Sequence, residues 1–268
     1  MNRNEDNRTS SVRKYNKSIS KVERLNTEPA VYSAIARVQF CASRGELEEA
    51  IQLCQNIINV LDDFPQIEPW IKYSVEKDYS RYLIALEMNN EAIEQLFHIR
   101  RKYGNLIAEK EEENYSTMLI LCSLLSICNR FDESIKWHKR CIEFVEGSIN
   151  TANISSNLYD MSISEDISKK LASLYLGLGK GYFETRQYKS AKEAFEMGYM
   201  ISFRAFGEKS EETLKLDYNL SVNEMLGLDY NEGYRQLKYV VELMVSALGK
   251  DHPLTQKAIW AQTTFSNE

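Results

Sequence analysis

From about residue 29 onward, apolar residues recur every three to four positions and are broken repeatedly by short polar turns. That spacing gathers the apolar side chains on one face of a helix, so the chain predicts a succession of amphipathic helices. The turns resemble one another: GELEEAI (45–51), EMNNEAI (87–93), NRFDESI (129–135), RQYKSAK (186–192) and LDYNEGY (228–234). Each has a small residue at its sixth place, namely Ala50, Ala92, Ser134, Ala191 and Gly233. The intervals between these are 42, 42, 57 and 42 residues. A second pair of stretches, FGEKSEET (206–213) and LGKDHPLT (248–255), is also 42 residues apart, each running from an apolar residue through Gly and charge to a helix-starting Thr.

A period of this length with two helices per unit predicts a stack of helical hairpins. One hairpin cannot bury its own apolar faces; stacked neighbours bury a continuous core. The recurrent Ala, Ser or Gly belongs where the second helix of a pair crosses close to the first. Pro253 suits the first turn of a helix, where its missing N–H costs nothing, with Asp251 or His252 as the cap.

Within each unit the pattern resembles the tetratricopeptide repeat. The fullest copy is LYLGLGKGYFETRQYKSAKEAF (174–195), with Tyr175, Leu178, Gly179, Tyr182, Tyr188, Ala191 and Phe195 at that family's key places. The copy that follows keeps Leu220, Ser221, Tyr230 and Gly233, whereas Val38, Ser80 and Cys122 stand where the family prefers Gly or Ala. A 42-residue period is similar to the kinesin-light-chain type, whose units open on Gly-x-x-His-Pro-x-Thr. Gly249, His252, Pro253 and Thr255 match that element, and Gly207 and Thr213 match it in part. The resemblance covers roughly residues 30–266 and implies an all-α, right-handed superhelical array of antiparallel helix pairs, about five repeats plus a C-terminal helix.

Two segments fall outside this pattern. Residues 1–28 are rich in Asn, Ser, Arg and Lys and bury too little apolar surface to offset the entropy of ordering, so a disordered tail is expected before a repeat domain over 29–268. The long interval places 15 extra residues in EGSINTANISSNLYDMSISED (146–166), which reads as a surface loop, either a tolerated insertion or a partner-contacting one.

Charge and composition narrow the function. The net charge of −6 gives no electrostatic case for nucleic acid. It is uneven: seven Lys/Arg against Glu5, Asp6 and Glu23 give residues 1–24 a surplus of +4, which leaves −10 on the rest. No apolar run is long enough to span a membrane, and the polar start MNRNEDNRTSSVRK lacks the apolar core of a signal peptide. Cys41, Cys54, Cys122, Cys128 and Cys141 are odd in number and irregular in spacing, which suits reduced thiols in the cytoplasm.

No constellation points to catalysis, a metal or a cofactor. His138 and Cys141 form an HxxC on one helix, but no second ligand pair has the spacing for a metal, and both fall at core positions. GLGKG (177–181) lacks the preceding strand and the Gly-Lys-Ser/Thr ending of a phosphate loop. The EKEEEN run (109–114) reads as solvated charge at a helix start.

What remains is the groove that the resemblance implies. Counting from the small residue of each unit, the positions turned to its concave side give Leu176, Lys180, Phe183, Tyr218, Val222, Met225 and, one period on, Trp260, with Lys215 alongside. Upstream the same positions hold Ile35, Gln39, Ala42, Lys77, Arg81, Ile84, Leu119, Ser123 and Ser126. An aromatic row at helical spacing is also what a core face looks like, so register alone argues for exposure. The family's chaperone clamp for a C-terminal carboxylate would fall on Ile35 and Gln39, which cannot serve. The expected function is an interaction scaffold that binds a short peptide, with an aromatic or acidic segment as the partner. The alternative is a regulatory or sensor subunit that changes shape on binding a signalling peptide or small ligand.

Overall fold

The structure is a computed structural model that describes residues 25–152 and 164–266. Among these residues are eleven helices and no strand. They run in pairs: α1 (Glu28–Ser43) with α2 (Leu47–Leu61), α3 (Pro69–Ala85) with α4 (Asn89–Ala108), and α5 (Glu111–Ile127) with α6 (Phe131–Ala152). After these come α7 (Glu165–Glu184) with α8 (Tyr188–Phe206), and α9 (Glu211–Gly227) with α10 (Tyr230–Leu248). Helix α11 (Pro253–Phe265) has no second helix after it among the described residues. The chain forms two compact units that divide within α4, the first ending at Leu106 and the second starting at Ile107. Just before the division α4 kinks at Tyr103, whose φ of −116° and ψ of 15° leave the helical range.

In the first unit α1 packs on α2 and α2 on α3; in the second, each helix from α5 to α11 packs on the next. This is the series of helical hairpins that the 42-residue interval predicts. The small residues do what the spacing requires, since Ala50, Ala92, Ser134 and Ala191 are all fully buried. At Gly233 the approach is so close that a Cβ would lie 2.1 Å from the Met225 backbone nitrogen. Val38, Ser80, Cys122, Gly179 and Ser221, spaced by the same intervals, are buried too.

The period also appears in the backbone. The turns inside the first four pairs each contain one residue at positive φ: Gly45 at 78°, Glu87 at 59°, Asn129 at 58° and Arg186 at 58°. Gly207 and Gly249, 42 residues apart, hold φ of 82° and 89° at the turns between pairs. Side chains cap the helices that follow: Ser210 Oγ accepts from the Thr213 N–H at 3.2 Å, and Asp229 Oδ1 from the Glu232 N–H at 3.1 Å. His252, one of the two expected caps, accepts at Nδ1 from the Leu254 N–H at 3.3 Å, with Pro253 in the first turn.

The boundaries of the two irregular segments differ from expectation. Residues 1–24 lie outside the described residues, but Leu25 packs against the first core and α1 already begins at Glu28. Of the stretch 146–166, residues 146–152 continue α6 and Glu165 opens α7, whereas 153–163 lie outside the described residues. Ser164 sets the start of α7 by accepting from the Ile167 N–H.

In the first unit a buried carboxylate ties α3 to α4. Glu76 is inaccessible to solvent and accepts from Tyr103 Oη at 2.8 Å, Lys102 Nζ at 3.1 Å and Gln95 Nε2 at 3.1 Å, with His98 Nε2 at 3.3 Å. Lys102 also pairs with Asp62 at 2.9 Å. Four side chains from α4 thus satisfy one charge that would be costly to bury alone.

Candidate functional site

The second unit holds a pocket of ≈ 490 Å³ lined from six helices. Ser126 comes from α5, Phe131 from α6 and Phe195 from α8. Helix α7 supplies Gly177, Lys180, Gly181, Phe183 and Glu184; α9 supplies Tyr218, Asn219 and Val222. Lys257 reaches in from α11, and Asn129 closes the rim from the α5–α6 turn.

Helix α7 packs closely on α6 and α8 because glycines stand where it meets them. A Cβ at Gly177 would fall 2.1 Å from His138 Nε2, and one at Gly179 would fall 2.4 Å from the Phe195 ring. Beneath the rim, Ser126 Oγ and Ser134 Oγ lie 2.8 Å apart, and His138 Nδ1 lies 2.8 Å from the Ser134 carbonyl oxygen. Burial pushes the His138 imidazole below the usual histidine range against that backbone bond, so the neutral ring with Nδ1 donating to Ser134 suits this place. His138 is therefore a packing residue, as its core position predicts. Its neighbour in the HxxC, Cys141, is buried 3.7 Å from the Cys122 sulfur. That contact, and then burial, push the Cys122 thiol above its usual range.

Of the expected groove residues, Lys180, Phe183, Tyr218 and Val222 come together in this pocket. The other four stand elsewhere. Met225 is only 3% exposed and belongs to the core of α9, α10 and α11, so the expectation that it contacts a partner is corrected. The cause is the α10 crossing at Gly233, which lies directly on Met225. Leu176 is half-buried against the Ala172, Ala191, Phe195 and Leu216 cluster, and it does not line the pocket. Lys215 is also outside it and pairs with Glu211 at 3.8 Å. Trp260 is 68% exposed on α11 and lies outside the pocket. Tyr218 is both core and lining: its ring packs in the last core cluster, and burial pushes its phenol above the usual range.

Sequence reasoning missed Lys257. Its ammonium lies 5.5 Å from the centroid of the Tyr218 ring, a cation–π distance. The signal was present, because Lys257 follows Lys215 by one 42-residue period. Lys180 is exposed toward the pocket, yet crowding by the surrounding chain lowers its ammonium pKa, and the positive charges of Lys257 and Lys215 push the same way. Among the described residues neither Lys180 nor Lys257 has an ion-pair partner, even though Glu184 lines the same pocket.

Among the described residues one group elsewhere has the spacing to hold a cation: Cys41, Glu46 and Glu49 in the first unit. Arg37 already pairs with Glu49 at 2.7 Å and Arg44 with Glu46 at 3.1 Å, so both carboxylates are neutralised without a metal. No helix among the described residues is long and apolar enough to cross a membrane.

The fold is similar to that of solved repeat proteins. The kinesin-light-chain-like protein of Podosopora anserina, with nearly identical TPR-like repeats, aligns at a TM-score of 0.54 and 13% identity over 81% of this chain and 95% of that one. YrrB, a TPR protein with an unusual peptide-binding site, aligns at 0.54 and 14% identity over 85% and 90%. The apo form of RapI aligns at 0.56 and 13% identity over 88% and 82%. No protein-family model and no curated protein matches the sequence.

Proposed function

From a chain that has the tetratricopeptide-repeat fold, we propose a non-enzymatic interaction scaffold whose second unit binds a short extended peptide of a partner protein. The observation that carries this reading is the pocket itself. Phe183, Val222 and the Tyr218 ring offer apolar contact beside two cations that have no ion-pair partner among the described residues. The complementary segment carries a large aliphatic or aromatic side chain near acidic residues. Aromatic anchors in such pockets supply most of the binding energy, and charges at the edge set on-rate and selectivity. Trp260, exposed one turn beyond Lys257 on α11, extends the apolar surface past the pocket. YrrB, which shares the fold, has a peptide-binding site. The five free thiols, four of them buried, suit a reducing cytoplasm, which is part of this proposal.

The test uses a fluorescently labelled short peptide with one Trp flanked by Glu. The full chain should bind it saturably, and Val222→Glu should abolish binding while helicity is kept, with some loss of thermal midpoint because Val222 also packs on the last core. Trp260→Ala should weaken binding with no loss of stability, because the ring is solvent-facing. A folded Val222→Glu protein that binds the peptide normally would place the site elsewhere.

A further inference from the structure

We infer that the furrow between α8 and α10 is a second docking surface, which takes an extended segment of a partner protein and holds an arginine of that segment between aromatic walls and the Asp217 carboxylate. Helices α8 and α10 each pack on α9 but scarcely on each other, so α9 floors the space between them. Along α9, Thr213 bonds across to Ser202 of α8, and Leu214 belongs to the core shared with Leu237 and Val240 of α10. Asp217 follows Thr213 by four residues and Leu214 by three, so it stands one turn further along the same floor. On α8, Tyr199 and Phe203 form one wall, with ring centroids 5.7 Å apart. On α10, Tyr239 forms the other, and its hydroxyl donates to Glu208 Oε1 of the α8–α9 turn at 3.1 Å. Phe203 is 44% exposed and Tyr239 53%, and none of these residues lines the pocket.

What this furrow lacks is a cation. Among the described residues the Asp217 side chain makes neither a hydrogen bond nor an ion pair, and Glu208 has no ion pair. Burial, and then the charge of Glu208, push the Asp217 carboxyl up, as befits two like charges with nothing positive between them. Asp217 also acts on both walls: it raises the Tyr199 phenol after burial does, and the Tyr239 phenol after the bond to Glu208 does. An uncompensated carboxylate beneath exposed rings is costly to keep, and a cation seated there removes the cost.

The walls decide which cation. A guanidinium is flat, stacks on rings, and is less strongly hydrated than an ammonium, so it can lie against Phe203 and Tyr239 while its N–H fork meets a carboxylate. A metal ion suits the place poorly, because the rings offer it no ligand. The one group spaced for a metal among the described residues is the Cys41, Glu46 and Glu49 cluster of the first unit. Met200 is exposed one turn before Phe203 and extends the wall, so the arginine arrives flanked by apolar side chains of an extended segment.

The experiment uses three labelled peptides that differ only at a central residue between two leucines: Arg, Lys and citrulline, which keeps the shape of Arg without its charge. At one low ionic strength the full chain should bind the Arg peptide about tenfold or more tightly than the citrulline peptide, as expected for a charge-assisted contact. The Lys peptide should fall between them. Asp217→Asn should remove most of the Arg-over-citrulline preference and stay folded, since it loses an uncompensated charge. Phe203→Ala should bring the Arg and Lys peptides to equal affinity. Glu143→Gln, which takes a negative charge from α6, should change neither preference. The acidic Trp peptide should bind Asp217→Asn as it binds the parent, so the furrow and the pocket are read separately. Equal binding of Arg and citrulline peptides, or a preference that survives Asp217→Asn, would overturn the inference whatever the pocket binds. A Lys peptide that matches the Arg peptide on the parent would overturn the arginine assignment. Residues 1–24 carry a surplus of +4. If a synthetic peptide of that segment binds more tightly than the Arg peptide and loses this in Asp217→Asn, the furrow belongs to the chain's own segment and the partner assignment falls.

Discussion

The Ser202 hydroxyl lies 2.8 Å from the Thr213 hydroxyl, which also accepts from Ser210 Oγ at 2.7 Å. One period later the counterparts are Met244, Thr255 and His252. Methionine offers no such partner, and His252 is engaged in capping α11, so the buried Thr255 Oγ1 has no hydrogen bond. An orphaned buried hydroxyl costs about 1–3 kcal/mol, whereas a satisfied one contributes about 1. Thr255→Val should therefore raise stability by about 1 kcal/mol and Thr213→Val lower it by a similar amount. Urea denaturation reads both, and equal losses in the two variants would contradict the asymmetry.

The close crossing at Gly233 predicts a steep local penalty. A methyl there would overlap the backbone of Met225, which cannot move without shifting α9. Gly233→Ala should cost about 3 kcal/mol or more. Gly104 sits in α4 with nothing within 4 Å of its notional Cβ, so Gly104→Ala should instead gain about 0.5–1 kcal/mol from helix propensity. Thermal melts of the two variants should move in opposite directions.

Asp217 makes stability depend on pH. Burial, and then the charge of Glu208, push its carboxyl from 3.8 up to about 6. Glu208 itself accepts from Tyr239 Oη at 3.1 Å, and burial, followed by the charges of Asp217 and Glu208, pushes the Tyr199 phenol upward. Because the folded value lies above the unfolded one, the folded chain holds this proton more tightly. Its contribution is fully present below about pH 4 and is lost as pH rises through about 6. Asp217→Asn should thus be more stable than the parent by about 1–2 kcal/mol at pH 7.5, with the gap closing toward pH 4. A gap that is constant across that range would rule the cause out.

The positive-φ turns carry strain where the residue is not glycine. A left-handed conformation costs an ordinary L-residue about 1–2 kcal/mol, partly offset here by the extra unfolded-state freedom that glycine would add. Glu87→Gly and Arg186→Gly should each gain about 0.5–1 kcal/mol, and Asn129→Gly less, because Asn tolerates this conformation better. Denaturant midpoints of the three variants provide the comparison.

The helix pairs were legible because backbone geometry dictates the residues that mark them. Ala50, Ala92, Ser134, Ala191 and Gly233 must be small where two helices nearly touch, so the period shows in the sequence even as its other residues drift. The pocket was legible only by half, because helical spacing fixes the angle of a side chain and not what covers it. Met225 has an angle close to that of Tyr218 but lies under the α10 crossing. Trp260 repeats Tyr218 one period on, but no further helix covers it among the described residues. Lys257 repeats Lys215 one period on, but the two differ in what they reach: Lys215 pairs with Glu211 outside the pocket, whereas Lys257 lines it.

Helix α11 bears on how the protein can be divided. Counted in complete helix pairs, the last hairpin closes at Leu248, and a fragment trimmed there would retain every pair. It would also lose Ala258 and Ala261 from the final core and the only pocket cation contributed from outside the pairs. The smallest piece that is whole as a stack is therefore smaller than the smallest piece that keeps the whole pocket lining, and the difference between them is a single half-repeat.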